Sequence, residues 1–582
     1  MSGLEIAGVV IGVVPPIFQA AGAAWKTLDD TITFDGDTED LGIRLEYVKA
    51  HLGIWATKAG LTQGQLVEAL VPQQELIART LNRVRDLVEE VQQEGKKYGL
   101  VGKEAEQTDE KKKSEAVPQM RRSLISSMMA LRGRRTAVAI LLEKEGSVRQ
   151  TEKNETKMLR RVLWAIHDKK RFEGFVESLE GHVKRLESFV MEGGRKEMRQ
   201  EGTRFALEII RGLSEAGALS QLQQASGWDP GFSQIDVQSL AQWKAIPLQK
   251  SASIDVEGDW SLDGKTAAER AQTRFIKRGR FNQEITYLFE KKEYDANISA
   301  DNKDLLKERV RQLVALLKEP GAQRHLHTLR ALGYVDDFEF GCWWVVFRFS
   351  SSPLSFGALV GQEPLSLRDL LPLSSKPPLE ARYGLAKRLV DTFAQLYGAD
   401  WMHKSINSRN IVFPRVRNLG SNPAIPPLQQ ALVQGFNYSR QSTQNATIDR
   451  GKVLNDLDAA IYRHPLYQGE AASGYKINYD IYSLGLVLYE IAVWMPLIAY
   501  LAMKPEKEQI VPLSPKMDRF HEAEAFELKR RVMIRVKHEL AYRVGTKYKN
   551  LLEWCLNLEK PVTAVEFYDR VAVPLEDICG QL

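Results

Sequence analysis

The apolar periodicity of this chain changes once, and the change divides it. Up to about residue 218, large apolar residues recur at three- and four-residue spacing; from about residue 266, runs of β-branched and aromatic residues take over. Such a chain calls for an all-helical bundle followed by a domain of mixed α+β type. In the first part, Leu41, Leu45, Val48, Leu52 and Trp55 mark one helix face, and Leu76, Ile77, Leu81, Val84, Leu87, Val88 and Val91 mark another. Leu159, Leu163 and Ile166, then Phe175, Leu179, Val183 and Leu186, predict further helices. The stretch from Gly95 to Pro118 is rich in Lys, Glu and Gly and reads as a loop. Residues 219–265, punctuated by Gly227, Pro230, Gly231 and Pro247, read as a linker with short packed pieces. Beyond it, Ile285–Glu290 and Trp343–Phe349 read as strands with a helix over Asp304–Lys318 between them, and helices dominate after Leu365. The expected organisation is therefore a helical bundle over 1–218, a linker over 219–265 and a mixed domain over 266–580.

Composition narrows the class. The length of 582 residues suggests two to four domains, and a net charge of +5 is too small for that length to point to nucleic acid. Cys342, Cys555 and Cys579 are far apart and show no metal-ligand spacing, which predicts a reduced cytoplasmic protein without a structural metal.

Leu4 to Trp25 is almost uncharged. It lacks the positive start of a signal peptide, and Glu5 stands where that charge would be. The stretch is about long enough to span a bilayer, but Pro15-Pro16 interrupts it and Gln19 polarises it, so the expectation for the resting protein is a buried helix with a proline kink or break. Arg121 to Arg135 reads either as a basic amphipathic element drawn to anionic lipid or as a helix with a solvated basic face.

The segment His403-Lys-Ser-Ile-Asn-Ser-Arg-Asn410, followed by Ile411-Val-Phe413, resembles the catalytic loop of a protein kinase. On that resemblance, His403 matches the motif histidine, Ser405 stands at the catalytic base, Asn407 at the loop lysine, and Asn410 at the metal-holding asparagine. A hydroxyl is no base near neutral pH. Downstream, Gly435-Phe436-Asn437 resembles the metal-binding Asp-Phe-Gly segment with its Asp replaced by Gly. Tyr462 to Tyr467 resembles the end of an activation segment. Asp480 to Glu490 resembles the buried central helix of the large lobe, where Asp480 would cap the catalytic-loop backbone. No Gly-rich phosphate loop precedes the first strands. Lys292, with Lys291 as a competing choice, would be the phosphate-contacting lysine or else a solvated strand-end residue, and Glu308 its helix partner. His403, Phe436 and Asp480 then serve the scaffold, and the degenerate positions Ser405, Asn407 and Gly435 imply a pseudokinase. ATP binding at Lys292, Glu308 and Asn410 is compatible with this reading, and turnover is not.

The first part resembles the fungal HeLo domain of HET-s-type prion-inhibition and propagation proteins. The residues carrying the resemblance are the apolar start, Leu4 to Phe18, and the run Arg44-Leu45, Lys49, Leu52, Trp55, Ala59-Gly-Leu61. The resemblance implies a helical bundle whose first helix can leave the core for a membrane, with Val9, Val10, Ile11, Val13, Val14, Ile17 and Phe18 as the membrane-active residues. A membrane-active bundle joined to a degenerate kinase also resembles the arrangement of mixed-lineage-kinase-like necroptosis effectors in animals, by analogy of architecture. The implied function is a cell-death or heterokaryon-incompatibility effector, cytoplasmic at rest and at the plasma membrane when activated. An upstream signalling protein or kinase would trigger it, and anionic lipid and self-oligomers would be its partners. Two other readings stay open: a non-toxic adaptor built from two interaction modules, and an unorthodox active kinase.

Overall fold

The computed structural model describes residues 12–31, 39–97, 169–190, 192–228, 231–249, 275–280, 283–294, 297–349, 364–373, 375–413, 426–436, 439–441, 456–468, 475–502, 513, 516 and 520–580. Val9, Val10, Ile11, Leu159, Leu163, Ile166, Asn437 and the Arg121–Arg135 stretch lie outside these residues. Two compact units emerge, Met1–Ala245 and Ile246–Leu582.

The first unit is helical: α1 Val14–Thr31, α2 Glu39–Lys58, α3 Gln74–Lys97, α4 Lys169–Ser188, α5 Glu192–Gly212, α6 Ala216–Ala225 and α7 Val237–Ala245. Pro15 and Pro16 do not kink a longer described helix; they lie in the first turn of α1. Two constraints favour that position: proline's fixed φ suits a helix start, and its missing N–H would find no partner there in any case. Val14, Phe18, Ala21, Trp25 and Leu28 then recur every three or four residues and are buried. Ile17 is half-buried and Val13 is exposed.

Helix α2 buries Leu41, Leu45, Val48, Leu52 and Trp55 along the expected stripe. In α3 the buried set is Ile77, Leu81, Val84, Leu87, Val88 and Val91, whereas Leu76 is 53% exposed. Leu76 lies about 100° around the helix from Ile77, outside the stripe that continues to Val91. In α4 the stripe runs Phe172, Val176, Leu179, Val183 and Leu186; Phe175 is only half-buried because Phe172 and Val176 carry the four-residue step. Leu219, Leu222, Leu240 and Trp243 are fully buried on α6 and α7. The part of the expected linker up to Ala245 is thus packed into the helical unit.

The second unit opens with strands β1 Phe275–Arg280 and β2 Gln283–Glu293, then helix α8 Ala300–Lys318, then β3 Ala331–Asp337 and β4 Cys342–Phe349. They form an antiparallel sheet in the order β1-β2-β4-β3. Opposed residues on antiparallel strands share a face. Leu288, Glu290 and Lys292 therefore lie on one face with Phe347, Val345 and Trp343. Phe289, Trp344 and Val346 form a buried cluster with Cys342. Short strands follow: β5 Leu365–Ser366, β6 Trp401–Met402, β7 Ile411–Phe413, β8 Leu432–Val433 and β9 Arg440–Gln441. They pair as β5-β7-β8 and β6-β9. The helical body comprises α9 Leu379–Gly398, α10 Ile477–Val493, α11 Glu522–Arg535, α12 Ala541–Leu556 and α13 Val573–Cys579. Every residue of α10 from Asn478 to Ala492 is buried, so this helix is the axis of the body.

Among the described residues, no helix is long and apolar enough to cross a membrane.

Candidate functional site

The polar residues singled out between positions 403 and 480 converge around one turn. Asp480, fully buried near the start of α10, accepts the backbone N–H of His403 at 2.6 Å and of Lys404 at 2.8 Å, and the Tyr475 hydroxyl at 2.5 Å. Burial pushes its carboxyl up to about 6, against hydrogen bonds from Tyr475, His403 and Lys404 that favour the charge. The bend these bonds hold is tight: Lys404 has φ 67°, a left-handed conformation uncommon for a residue with a side chain. His403 is sealed beneath it, with its ring 4.6 Å from that of Phe436 and 5.8 Å from that of Phe393, centroid to centroid. Burial pushes its imidazole down to about 3, so it is neutral and serves packing.

Ser405 and the two asparagines form a local hydrogen-bonded loop. The Asn410 amide donates to the Ser405 carbonyl at 2.7 Å and to its hydroxyl at 3.1 Å. Asn407 donates to the same carbonyl at 3.1 Å, and its own oxygen accepts the N–H groups of Arg409 and Asn410, capping the short turn that leads into β7. These side chains shape the loop, and Ser405 brings no carboxylate to it.

Gly435 sits beside Asn410 with φ +84°. A Cβ at this position would lie 2.1 Å from Asn410 Nδ2, so no carboxylate-bearing residue fits here without displacing the asparagine. The residues present therefore do not fit a metal-bound nucleotide of the kinase type. The metal-binding carboxylate of the kinase segment is absent at Gly435; Asn410 donates to Ser405 through Nδ2, and its Oδ1, the atom that would face a metal, takes no part in those bonds.

The side chain found on the backbone of this segment was not foreseen from sequence. Glu290, on β2, accepts the N–H of Gly435 at 2.8 Å through Oε1 and the N–H of Phe436 at 3.1 Å through Oε2. Glu290 and Lys292 are each 5% exposed, so Lys292 is not a solvated strand-end lysine. Glu308 accepts from Gln312 at 3.3 Å and lies 3.9 Å from Arg311, both on its own helix. A period-of-two reading of Phe289-Glu-Lys-Lys-Glu293 puts Glu290 on the face of Lys292; only the fold shows what that face meets.

A second buried chain of hydrogen bonds starts from Ser408 of the same loop. Ser408 Oγ is 2.7 Å from the Tyr462 hydroxyl, which donates to Glu490 at 2.7 Å; Glu490 also accepts the Leu497 N–H at 2.6 Å. His464 accepts the Leu466 N–H and starts the turn Pro465–Tyr467, with its ring stacked on Tyr479.

In the helical unit, the polar residues of the Arg44–Leu61 run are structural ties. Arg44 makes a two-pronged pair with Glu180 of α4, at 2.8 and 2.7 Å. Lys49, only 1% exposed, pairs with Asp29 of α1. Gly60 adopts φ +81° in the turn after α2, where a Cβ would lie 2.7 Å from the Gln65 carbonyl oxygen. His51 bonds Glu187 of α4 at 3.0 Å and stacks on Phe232. Burial, with the Lys184 charge nearby, holds its imidazole well below the usual histidine range.

Residues 6–222 match the family described as HeLo, prion-inhibition and propagation. The whole of this match falls within the unit Met1–Ala245, and residues 223–582 lie outside it. No curated protein matches the chain.

Proposed function

We propose that the chain is a cell-death or incompatibility effector of the fungal HeLo type, in which a membrane-active helical unit is governed by a degenerate kinase-like unit. The family match over residues 6–222 carries the first half of this reading. A buried amphipathic α1 agrees with it, since an apolar face buried against α3 could exchange that burial for lipid at small net cost.

The second half rests on the C-terminal unit. An antiparallel sheet with one helix, a helical body around a buried axial helix, and an Asp480 that caps the turn at His403 agree with a kinase-like scaffold. Ser405 and Gly435 leave that scaffold without the carboxylates of phosphoryl transfer, so its role is regulation rather than catalysis. The protein would rest in the cytoplasm and act at the plasma membrane as an oligomer once an upstream protein engages the C-terminal unit.

Dye release from anionic liposomes tests this, comparing residues 1–245 with the full chain. Leakage caused by the helical unit and suppressed in the full chain is the expected result. No leakage from either, with both folded by circular dichroism, overturns the effector reading in favour of a non-toxic adaptor.

A further inference from the structure

Glu290 departs from what a phosphate-binding unit would place at this position. The N–H groups of Gly435 and Phe436 are consecutive, buried and turned toward one acceptor by the left-handed φ of Gly435. Paired backbone N–H groups of this kind are an anion cradle, used for phosphates and carboxylates alike. Two residues along the same strand face from Glu290 lies Lys292, about 7 Å further on and equally buried. A lysine on this shared strand face and a pair of amide donors are the kinds of group that a phosphoryl group prefers. Here the chain supplies the anion itself, from a residue 145 positions away in sequence.

We infer that Glu290 is a resident competitor for phosphate: the Gly435–Phe436 amides form a phosphate-binding cradle that the wild-type protein keeps filled with its own carboxylate. A phosphate-bearing ligand and Glu290 cannot share the two amides, because like charges at contact distance in a buried site repel strongly. Ligand entry therefore requires the Glu290 carboxylate to leave the two amides. The inference rests on the kinase-like reading only in the choice of ATP as one probe.

The test uses the full chain and its Glu290→Ala variant. Each is titrated calorimetrically with inorganic pyrophosphate and with ATP, at constant ionic strength, with potassium chloride as the salt control. Glu290→Ala should bind pyrophosphate about ten-fold or more tighter than wild type, and Glu290→Ala combined with Lys292→Met should lose that gain. Equal affinity of wild type and Glu290→Ala, or no binding by either, overturns the inference. A double variant that keeps the full gain overturns it too, because the anion then sits elsewhere. Should Glu290→Ala fail to fold, Glu290→Gln, which keeps one acceptor and removes the charge, is judged by the same comparison. Pyrophosphate binding without ATP binding upholds the cradle and counts against the nucleotide part of the kinase-like reading.

Discussion

The Tyr462 hydroxyl donates to the Glu490 carboxylate at 2.7 Å, in a fully buried site where Glu490 also accepts the Leu497 N–H. Burial pushes the Glu490 carboxyl from its ordinary 4.5 to about 7, although these hydrogen bonds work in the opposite direction. Asp480 is pushed in the same direction, from 3.8 to about 6. A carboxyl that holds its proton more tightly when folded contributes most to stability below its unfolded pKa, and that contribution is lost as pH rises through the folded value. The neutral buried histidines act in the opposite sense: His403 and His327 are pushed down to about 3 and His464 to about 4. Their contribution is full above the unfolded histidine value and is lost as pH falls towards 3. Glu490→Gln should therefore gain stability relative to wild type as pH rises from about 4.5 to 7, by up to about 1.4 kcal/mol per pH unit. Urea melts at several pH values measure this; parallel pH profiles would refute the buried-acid account.

Asp480→Ala removes the common acceptor of His403 N–H, Lys404 N–H and the Tyr475 hydroxyl. Leaving buried donors unmet costs about 1–3 kcal/mol each, so with three donors a loss of at least about 3 kcal/mol in the C-terminal unit is expected. Chemical denaturation followed by a probe in that unit reads it. A loss under about 1 kcal/mol would mean that the turn at Lys404 holds without its cap.

Gly435→Ala places a Cβ 2.1 Å from Asn410 Nδ2 at a φ of +84°. The strain and the displaced asparagine should cost about 2–4 kcal/mol. Gly435→Asp should be at least as damaging, and combining it with Ser405→Asp should not restore phosphoryl transfer. Detectable transfer of a γ-phosphate by that pair would show a site more adaptable than the geometry allows.

A fragment ending at residue 218 cuts α6 near its start and discards the buried Leu219, Leu222, Leu240 and Trp243. Each large apolar side chain contributes about 1.5–3 kcal/mol on burial, so residues 1–218 should melt well below residues 1–245 or aggregate. Thermal melts of the two fragments compare them directly. Equal melting temperatures would place the true boundary of the helical unit near 218.

The helical unit was largely legible because its signals are local. The stripe on α2, with Leu41 and Trp55 at its ends, follows from the helical period, and so does most of α3. The stretch 219–245 was harder, because α6 and α7 are short helices split by Gly227 and earn their stability only by packing. Leu76 and Phe175 were misplaced for a related reason: apolar type says a residue can be buried, and rotation about the helix says whether it is.

The amino-acid order alone settled the division into a helical part and a mixed part, and the faces that turn inward, since periodicity is written within a few turns of chain. It also showed that Ser405 and Gly435 are not carboxylates. Which groups meet was decided only by the tertiary structure. Arg44 finds Glu180 across 136 residues, and Glu290 finds the Gly435 amide across 145. Contacts at such separations depend on loop closure and sheet register, and a one-residue slip in β2 would turn Glu290 away from the amides it now holds.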